Sequence, residues 1–207
     1  MKNLVRFLTL IALALGLLAP ARAVVETYTI DPVHSTVQFS LRHIISKFTG
    51  SFTKPSGTIT VDRNDLEKSS VDATIDVASL STASPDREKH LWSGDFFDLT
   101  KYTSMTFKSK AWKKTGDNTF DVTGDLTIKD VTKEVVLKTT LLGFGPGMRG
   151  MQLSGWEAST VIKKSDFGLA GPAKLVKVLG DDVTISIAIE SGFKPAAAAA
   201  PAAEAKK

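Results

Sequence analysis

The chain has 207 residues, with 26 Lys and Arg against 22 Asp and Glu, and its formal net charge is +4. Without Lys2, Arg6 and Arg22, which lie in a predicted leader, 23 basic and 22 acidic residues remain. Residues 24–193 carry 20 basic and 21 acidic residues, a balance that argues against phosphate neutralisation, so no nucleic-acid partner is expected. The absence of cysteine excludes thiol nucleophiles, disulfides and Cys-ligated metals.

The first 23 residues have the pattern of a secretory signal peptide. Lys2 and Arg6 supply a cationic start, an apolar run of 13 residues follows at 7–19, and Ala21-Arg22-Ala23 fits a cleavage site. A membrane-spanning helix would need about 20 apolar residues. We therefore predict a signal peptide at 1–23 and a mature protein that is exported.

The last 14 residues, 194–207, form an Ala, Pro and Lys tail that we expect to be disordered. Pro195 and Pro201 interrupt the alanine run, and no apolar stripe is present that could dock it on a domain. A tether to an anionic envelope surface is the alternative, supported only by Lys206 and Lys207. One domain is thus expected at 24–193.

Apolar residues at every second position predict antiparallel strands through most of this domain. The pattern is clearest at 182–190, where Val183, Ile185, Ile187 and Ile189 alternate with small or polar residues. Compact turns are predicted at 115–118, 129–130 and 179–181. Eight strands are expected, at 33–43, 57–62, 71–77, 105–112, 119–129, 134–142, 151–162 and 182–190.

One short helix is predicted at 84–93, because Pro85 and acidic residues stand where a first helical turn needs them. Eight regularly spaced strands with one helix predict a single antiparallel barrel or sandwich. An eight-stranded barrel can be filled by side chains or can hold one small ligand, and alternation does not distinguish the two.

Motifs for catalysis and metal binding were tested and mostly fail. Gly145–Gly150 matches G-x-G-x-x-G, but a strand-like segment follows it where dinucleotide binding needs a helix. His34 and His43 would face opposite sides of one strand, so they could not share a metal. No carboxylate–histidine spacing typical of a metal site was found. Neither a metal, a cofactor nor a catalytic set is expected.

A charged and aromatic segment around the helix leaves two interpretations open. In the structural one, Phe96 and Phe97 plug one end of the barrel, while Arg87 and His90 form caps or ion pairs with Asp95 or Asp98. In the functional one, the same residues form a mouth with an aromatic lip for an elongated apolar ligand. The two are compatible.

Four short motifs occur in order along the domain, at 31–43, 90–107, 124–133 and 165–168. They are Asp31-Pro32-Val33-His34-Ser35 with Phe39 and His43, His90-Leu91 through Asp95-Phe96-Phe97-Asp98 and Lys101-Tyr102 to Met105-Thr106-Phe107, Gly124–Lys129 with Val131-Thr132-Lys133, and Ser165-Asp166-Phe167-Gly168. In these motifs the sequence resembles the YceI-like family of periplasmic polyisoprenoid-binding proteins, which implies a periplasmic location.

This resemblance implies a lipocalin-like, eight-stranded antiparallel barrel whose cavity holds a polyisoprenoid or an isoprenoid quinone. Transient membrane contact is compatible with that role, and the oligomeric state stays open, a dimer included. The alternation of inward and outward side chains along the strands, together with the resemblance, gives the expected ligand-binding residues. They are Phe39, Leu41, His43, Ile59, Ile75, Phe96, Phe97, Phe107 and Ile187. His43 and the pair Phe96 and Phe97 are expected near the polar end or mouth.

Two rival functions are kept. The first is a hydrolase or other enzyme, in which His43 or His90 is a general base beside Asp95, Asp98 or Asp166. The second is a stress-related structural barrel with a filled interior. A packed interior would favour the second.

Overall fold

The computed structural model describes residues 25–195. The predicted signal peptide and nearly all of the predicted tail lie outside the described residues, so both stay predictions. No helix within 25–195 has the length and apolar character needed to cross a membrane. The strands are β1 (Val25–Ile30), β2 (Thr36–His43), β3 (Ser46–Phe52), β4 (Pro55–Asp62), β5 (Ser70–Asp76), β6 (Leu80–Ser81), β7 (Ser104–Lys114), β8 (Thr119–Ile128), β9 (Val131–Pro146), β10 (Gln152–Lys163) and β11 (Leu179–Phe193); the α-helices are α1 (Pro85–Leu91) and α2 (Ala173–Val176).

Eight strands form a closed antiparallel barrel. Their order is β1-β4-β5-β7-β8-β9-β10-β11, and β1 pairs with β11 to close the ring. The remaining strands β2, β3 and β6 continue the sheet from β11. The predicted barrel and its eight-strand size are confirmed. One member differs, because the predicted first strand is β2, whereas the ring contains β1.

Strand β11 is the element on which closure depends, since three strands pair with it. Residues 182–193 of β11 pair with β10, its first part pairs with β2, and its end pairs with β1 at Thr29↔Gly192 and Ile30↔Ser191. Between β1 and β2 the chain passes beside Glu190 of β11. The Glu190 backbone carbonyl accepts hydrogen bonds from the Asp31 N–H and the Ser35 hydroxyl. This junction between β1 and β2 at Glu190 is called the seam below.

Turns are confirmed at 115–118 and 129–130, where β7–β8 and β8–β9 form hairpins. The turn predicted at 179–181 is wrong. These residues are the start of β11. The pairing of β11 with β2 changes register between Leu179 and Val183, so Gly180 and its neighbours form an irregularity within the strand. Glycine and aspartate suit such a bulge as well as a turn, which is why the sequence pattern misled.

Buried side chains fill one end of the barrel, which we call the packed end. Tyr28, Val61, Phe120 and Val122 there are at most 1 % exposed. The Tyr28 hydroxyl donates to Glu26 at 2.6 Å, and burial, together with this carboxylate, raises the pKa of Tyr28 to about 12. The phenol therefore stays neutral, and this end of the barrel carries no phenolate at physiological pH.

Three ionisable groups meet at the seam. Nδ1 of His34 lies 2.9 Å from an Asp31 carboxylate oxygen and 3.7 Å from Glu190. The hydrogen bond with Asp31 raises the pKa of His34 above 6.5 and lowers that of Asp31 below 3.8. The imidazolium contribution to stability is thus complete below pH 6.5 and is lost as the pH rises through the raised pKa of His34. The Asp31 contribution is lost as the pH falls through its lowered pKa.

We therefore expect His34→Gln to lower the melting temperature at pH 5.5 but not at pH 8.5. At the lower pH both charges of the pair are present, and at the higher pH the imidazole of the parent protein is neutral. Thermal unfolding followed by circular dichroism measures the difference. An equal loss of stability at both pH values would contradict a stabilising ion pair at the seam.

Candidate functional site

An open cavity of about 670 Å³ occupies the barrel. Side chains from most of the ring strands line it, and they are predominantly apolar. On β11 the four alternating residues Val183, Ile185, Ile187 and Ile189 all face this space. Side chains therefore do not fill the interior, contrary to the packed interior that the filled-barrel interpretation expects.

The opening of the cavity lies between the β2–β3 hairpin and helix α1. Six of its lining residues are exposed to solvent, and all belong to these two elements. We call them the mouth: His43, Ser46, Lys47, Thr49, Arg87 and His90. The packed end lies at the other end of the cavity, where Trp112, Val122 and Trp156 line the wall.

All nine expected ligand-binding residues line the cavity. Phe39, Leu41, Ile59, Ile75, Phe107 and Ile187 lie on the wall, as strand parity indicates. His43 lies at the mouth and is exposed, because β2 ends at this residue. Phe96 is buried, and Phe97 contacts Phe52 with ring centroids 5.8 Å apart. Their contact with a ligand stays a prediction.

Three of these phenylalanines pack against glycines. The rings of Phe39, Phe107 and Phe96 occupy space beside Gly50, Gly124 and Gly171, and a Cβ at any of these glycines would overlap the ring. Gly50 is the direct cross-strand partner of Phe39. Gly124 lies two residues before Leu126, which is the cross-strand partner of Phe107. The glycines therefore let the rings lie along the wall instead of filling the cavity.

The charged and aromatic segment around helix α1 has features of both its structural and its functional interpretation. The His90 ring packs on Phe96 at 5.2 Å, and its Nε2 lies 2.9 Å from an Asp95 oxygen. The predicted pairing of Arg87 with Asp95 or Asp98 is wrong. Arg87 instead donates to the Thr82 carbonyl and lies over the Phe48 ring at 4.8 Å, because helix α1 turns this side chain toward β3.

Within the described part of the chain, four of the five ionisable side chains that line the cavity lie at the mouth. Among residues 25–195 the ionisable side chains that line the cavity are His43, Lys47, Arg87, His90 and Lys164, and none is a carboxylate. The side chain of Lys164 is only 8 % exposed, its ammonium donates to the Ala170 carbonyl at 3.1 Å, and an Asp181 oxygen lies at 3.9 Å. The cavity is thus apolar in depth and basic at its opening.

The groups of the rival enzyme interpretation are only partly brought together. His90 and Asp95 form an exposed pair, whereas Asp98 is engaged with Lys101 and Thr100. The Lys101 ammonium lowers the pKa of Asp98. Asp166 is exposed in a 3-10 turn beyond β10. The structure therefore offers one surface His–Asp pair at the mouth.

A cluster that the sequence analysis missed is the seam trio of Asp31, His34 and Glu190. Their potential ligand atoms all lie within 4.8 Å of one another, close enough to share a metal ion. The sequence predicted no metal site at His34, neither with His43 nor with a carboxylate. Asp31 and His34 are three residues apart, but Glu190 comes from a strand 155 residues beyond Ser35, so only the fold reveals the trio. Its members already pair with each other, which accounts for their positions.

Sequence reasoning also missed the tryptophans of the cavity. Trp112 and Trp156 lie with ring centroids 5.5 Å apart, and the Trp156 indole N–H donates to Ser154. Among the described residues the buried Trp112 Nε1 has no hydrogen-bond partner. A register shift between Ser109 and Ala111 turns Trp112 inward, and strict alternation cannot foresee such a shift.

Fold and site together define a class of protein, a closed β-barrel with an elongated apolar cavity that is open at one end. The YceI-like domain model matches residues 28–191, and the chain belongs to this family. A UPF0312 protein of Pseudomonas syringae pv. tomato is 38 % identical over 181 residues, which cover 85 % of this chain and 94 % of the relative.

Two solved structures illustrate the likeness. Burkholderia cenocepacia BcnA is 27 % identical, with a TM-score of 0.70 over 78 % of this chain and 98 % of that one. A domain of Saccharophagus degradans, described as polyisoprenoid-binding and implicated in plant cell wall breakdown, is 15 % identical, with a TM-score of 0.63 over 81 % and 98 %. At this identity the second likeness shows the fold.

Because the mouth is basic, we expect the protein to bind hexadecanoate more tightly than hexadecyltrimethylammonium, which has the same chain and the opposite charge. The charge-reversal variant K47E/R87E should weaken hexadecanoate binding several-fold, since each exposed charge contributes up to about 1 kcal/mol. Isothermal titration calorimetry measures both affinities. K113E/K114E is the matched control because these lysines flank the β7–β8 hairpin beside the packed end. Equal affinity for the two amphiphiles would contradict the expectation.

Proposed function

We propose that the protein binds a polyisoprenoid, an isoprenoid quinone or a similar amphiphile in its cavity and carries or sequesters it in the periplasm without chemical change. The observation that carries the proposal is the single apolar space of about 670 Å³, which opens at a polar, basic mouth. Ligand pockets of this kind are mostly apolar with few polar groups that fix orientation. The chain would lie along the wall, and the headgroup would lie at the mouth.

The physical chemistry of the ligand supports this arrangement. Each apolar carbon removed from water contributes about 0.8 kcal/mol, so a prenyl chain is strongly favoured inside such a wall. An aqueous compartment between two membranes is where a carrier of this type is needed, and the predicted signal peptide supports that location. The family and the polyisoprenoid-binding description of the Saccharophagus degradans domain support the ligand class.

Binding without catalysis is the simpler interpretation of the mouth. The exposed His90–Asp95 pair is the part of the rival acid–base set that the fold assembles. A hydrolase would lose turnover in His43→Ala and His90→Ala, whereas a carrier has no turnover to lose. Release of product from long-chain esters, measured with both variants, separates the two functions.

The first test identifies the native ligand. We expect protein purified from its host without detergent to release an isoprenoid lipid into organic solvent, and mass spectrometry of the extract measures it. Added decylubiquinone should also quench the fluorescence of Trp112 and Trp156, because both line the cavity. Trp92→Phe is the control, since Trp92 donates to Val77 outside the lining. Empty protein that also fails to bind the quinone would overturn the proposal.

The second test blocks the cavity. Ala158 lines it, whereas the next residue, Ser159, is exposed on the outer face of β10. Ala158→Phe should fill part of the space and weaken decylubiquinone binding at least tenfold, because the chain loses wall contacts. Ser159→Phe adds a similar bulk outside and should leave the affinity unchanged. Equal affinities in the two variants would show that the quinone binds elsewhere.

A further inference from the structure

The two-residue turn between β2 and β3 exposes large apolar side chains. Ile44 is 54 % exposed and Ile45 is 98 % exposed. Ile44 also has φ = 52°, in the left-handed region that β-branched residues rarely adopt and glycine adopts freely. Folding therefore disfavours isoleucine at this position.

A second exposed segment lies beside this turn. The Ile44 N–H donates to the Val178 carbonyl at 2.8 Å, and Leu179 pairs with His43. Val176, on helix α2, is 53 % exposed. Residues 42–47 and 173–178, which we call the rim, thus present apolar side chains from two adjacent segments.

Basic residues accompany the apolar side chains of the rim. Arg42, Lys47, Lys174 and Lys177 are exposed, and neither 42–47 nor 173–178 contains an acidic residue. The domain as a whole is close to neutral, so this is a local concentration of charge. An apolar centre with lysine and arginine around it is typical of a surface that binds the interface of an anionic membrane.

The rim is also continuous with the mouth. Ser46 and Lys47 at the start of β3, Leu175 in the second rim segment and Leu179 directly after it line the cavity. A surface seated on the rim would therefore cover the opening. An apolar chain could then pass between a bilayer and the cavity with little exposure to water.

We propose that the rim docks the protein on the surface of an anionic lipid bilayer, with Ile44, Ile45 and Val176 inserted at the interface and the basic residues facing the headgroups. This goes beyond the proposed function, because docking is a property of the outer surface and does not require a bound ligand.

The test is flotation with phosphatidylcholine vesicles that contain or lack 30 % phosphatidylglycerol. We expect the protein to float with the anionic vesicles and to be released by high salt, because salt screens exposed charges. The variant I44G/I45N should bind at least tenfold less. Its melting temperature should not fall, since glycine relieves the left-handed strain at residue 44.

Matched variants at the packed end control for general loss of apolar surface and charge. Met148 is 86 % exposed in the β9–β10 hairpin, so Met148→Ser removes a comparable side chain far from the mouth. K174E/K177E should abolish flotation, whereas K113E/K114E should retain it. All variants keep the same chain ends, so differences report the rim.

The proposal is overturned if wild-type protein ignores both vesicle types, which would leave an acidic protein surface as the candidate partner of the rim. It is also overturned if Met148→Ser or K113E/K114E loses binding as much as the rim variants. Quenching by decylubiquinone, measured in the same rim variants without vesicles, separates the two proposals. Retained quenching with lost flotation supports docking, and lost quenching in wild type contradicts the carrier function alone.

Discussion

Closure of the sheet at β11 is the constraint on which the rest of the molecule depends. Only two residue pairs, Thr29↔Gly192 and Ile30↔Ser191, join β1 to β11, yet they convert an open sheet with two edges into a ring. A ring leaves its own strands without free edges and encloses whatever lies between the inward side chains. The cavity exists because this join is made while the inward rows remain too small to fill the space.

The two ends of the closed barrel differ: one end supplies the packed core, and the other leaves space for a ligand. At the packed end large side chains such as Phe120 and Trp156 interdigitate and supply the core. Toward the mouth, small or aliphatic residues such as Ala158 and Ile187 leave room, and the glycines beside Phe39 and Phe107 let the rings lie against the wall. Stability and ligand space are thus contributed by different stretches of the same strands.

Much of the fold followed from alternation, because inward and outward positions of a strand differ in polarity wherever one face is buried. Val183, Ile185 and Ile187 show this directly. What alternation missed had a physical reason in each case. β3 contains Gly50 and several polar residues, β1 lies close to the predicted leader, and β6 has only two residues. The register shift before Trp112 turns this side chain inward, where strict alternation predicts that it faces outward.

The site was harder to predict where it depends on residues distant in sequence. The wall residues followed from parity, but the seam trio needs Glu190 beside Asp31, and the glycine partners of Phe39 and Phe96 depend on register and loop packing. His43 shares the inward parity of its strand and still reaches solvent, because the strand ends there. Position along the barrel axis, which a one-dimensional pattern does not contain, decides such cases.

The packed end has a consequence for which chain lengths the cavity accepts. Because Trp156 lines the cavity and packs in one core cluster with the buried Tyr28 and Phe120, we expect the floor of the cavity to stay fixed, since close-packed interiors yield little. A chain longer than the depth of the cavity leaves carbons in water at the opening, and each one forfeits about 0.8 kcal/mol. A shorter chain leaves a void whose lining loses dispersion contacts. A barrel closed at one end would therefore discriminate among homologous lipids by the number of their carbons, even where their headgroups are identical.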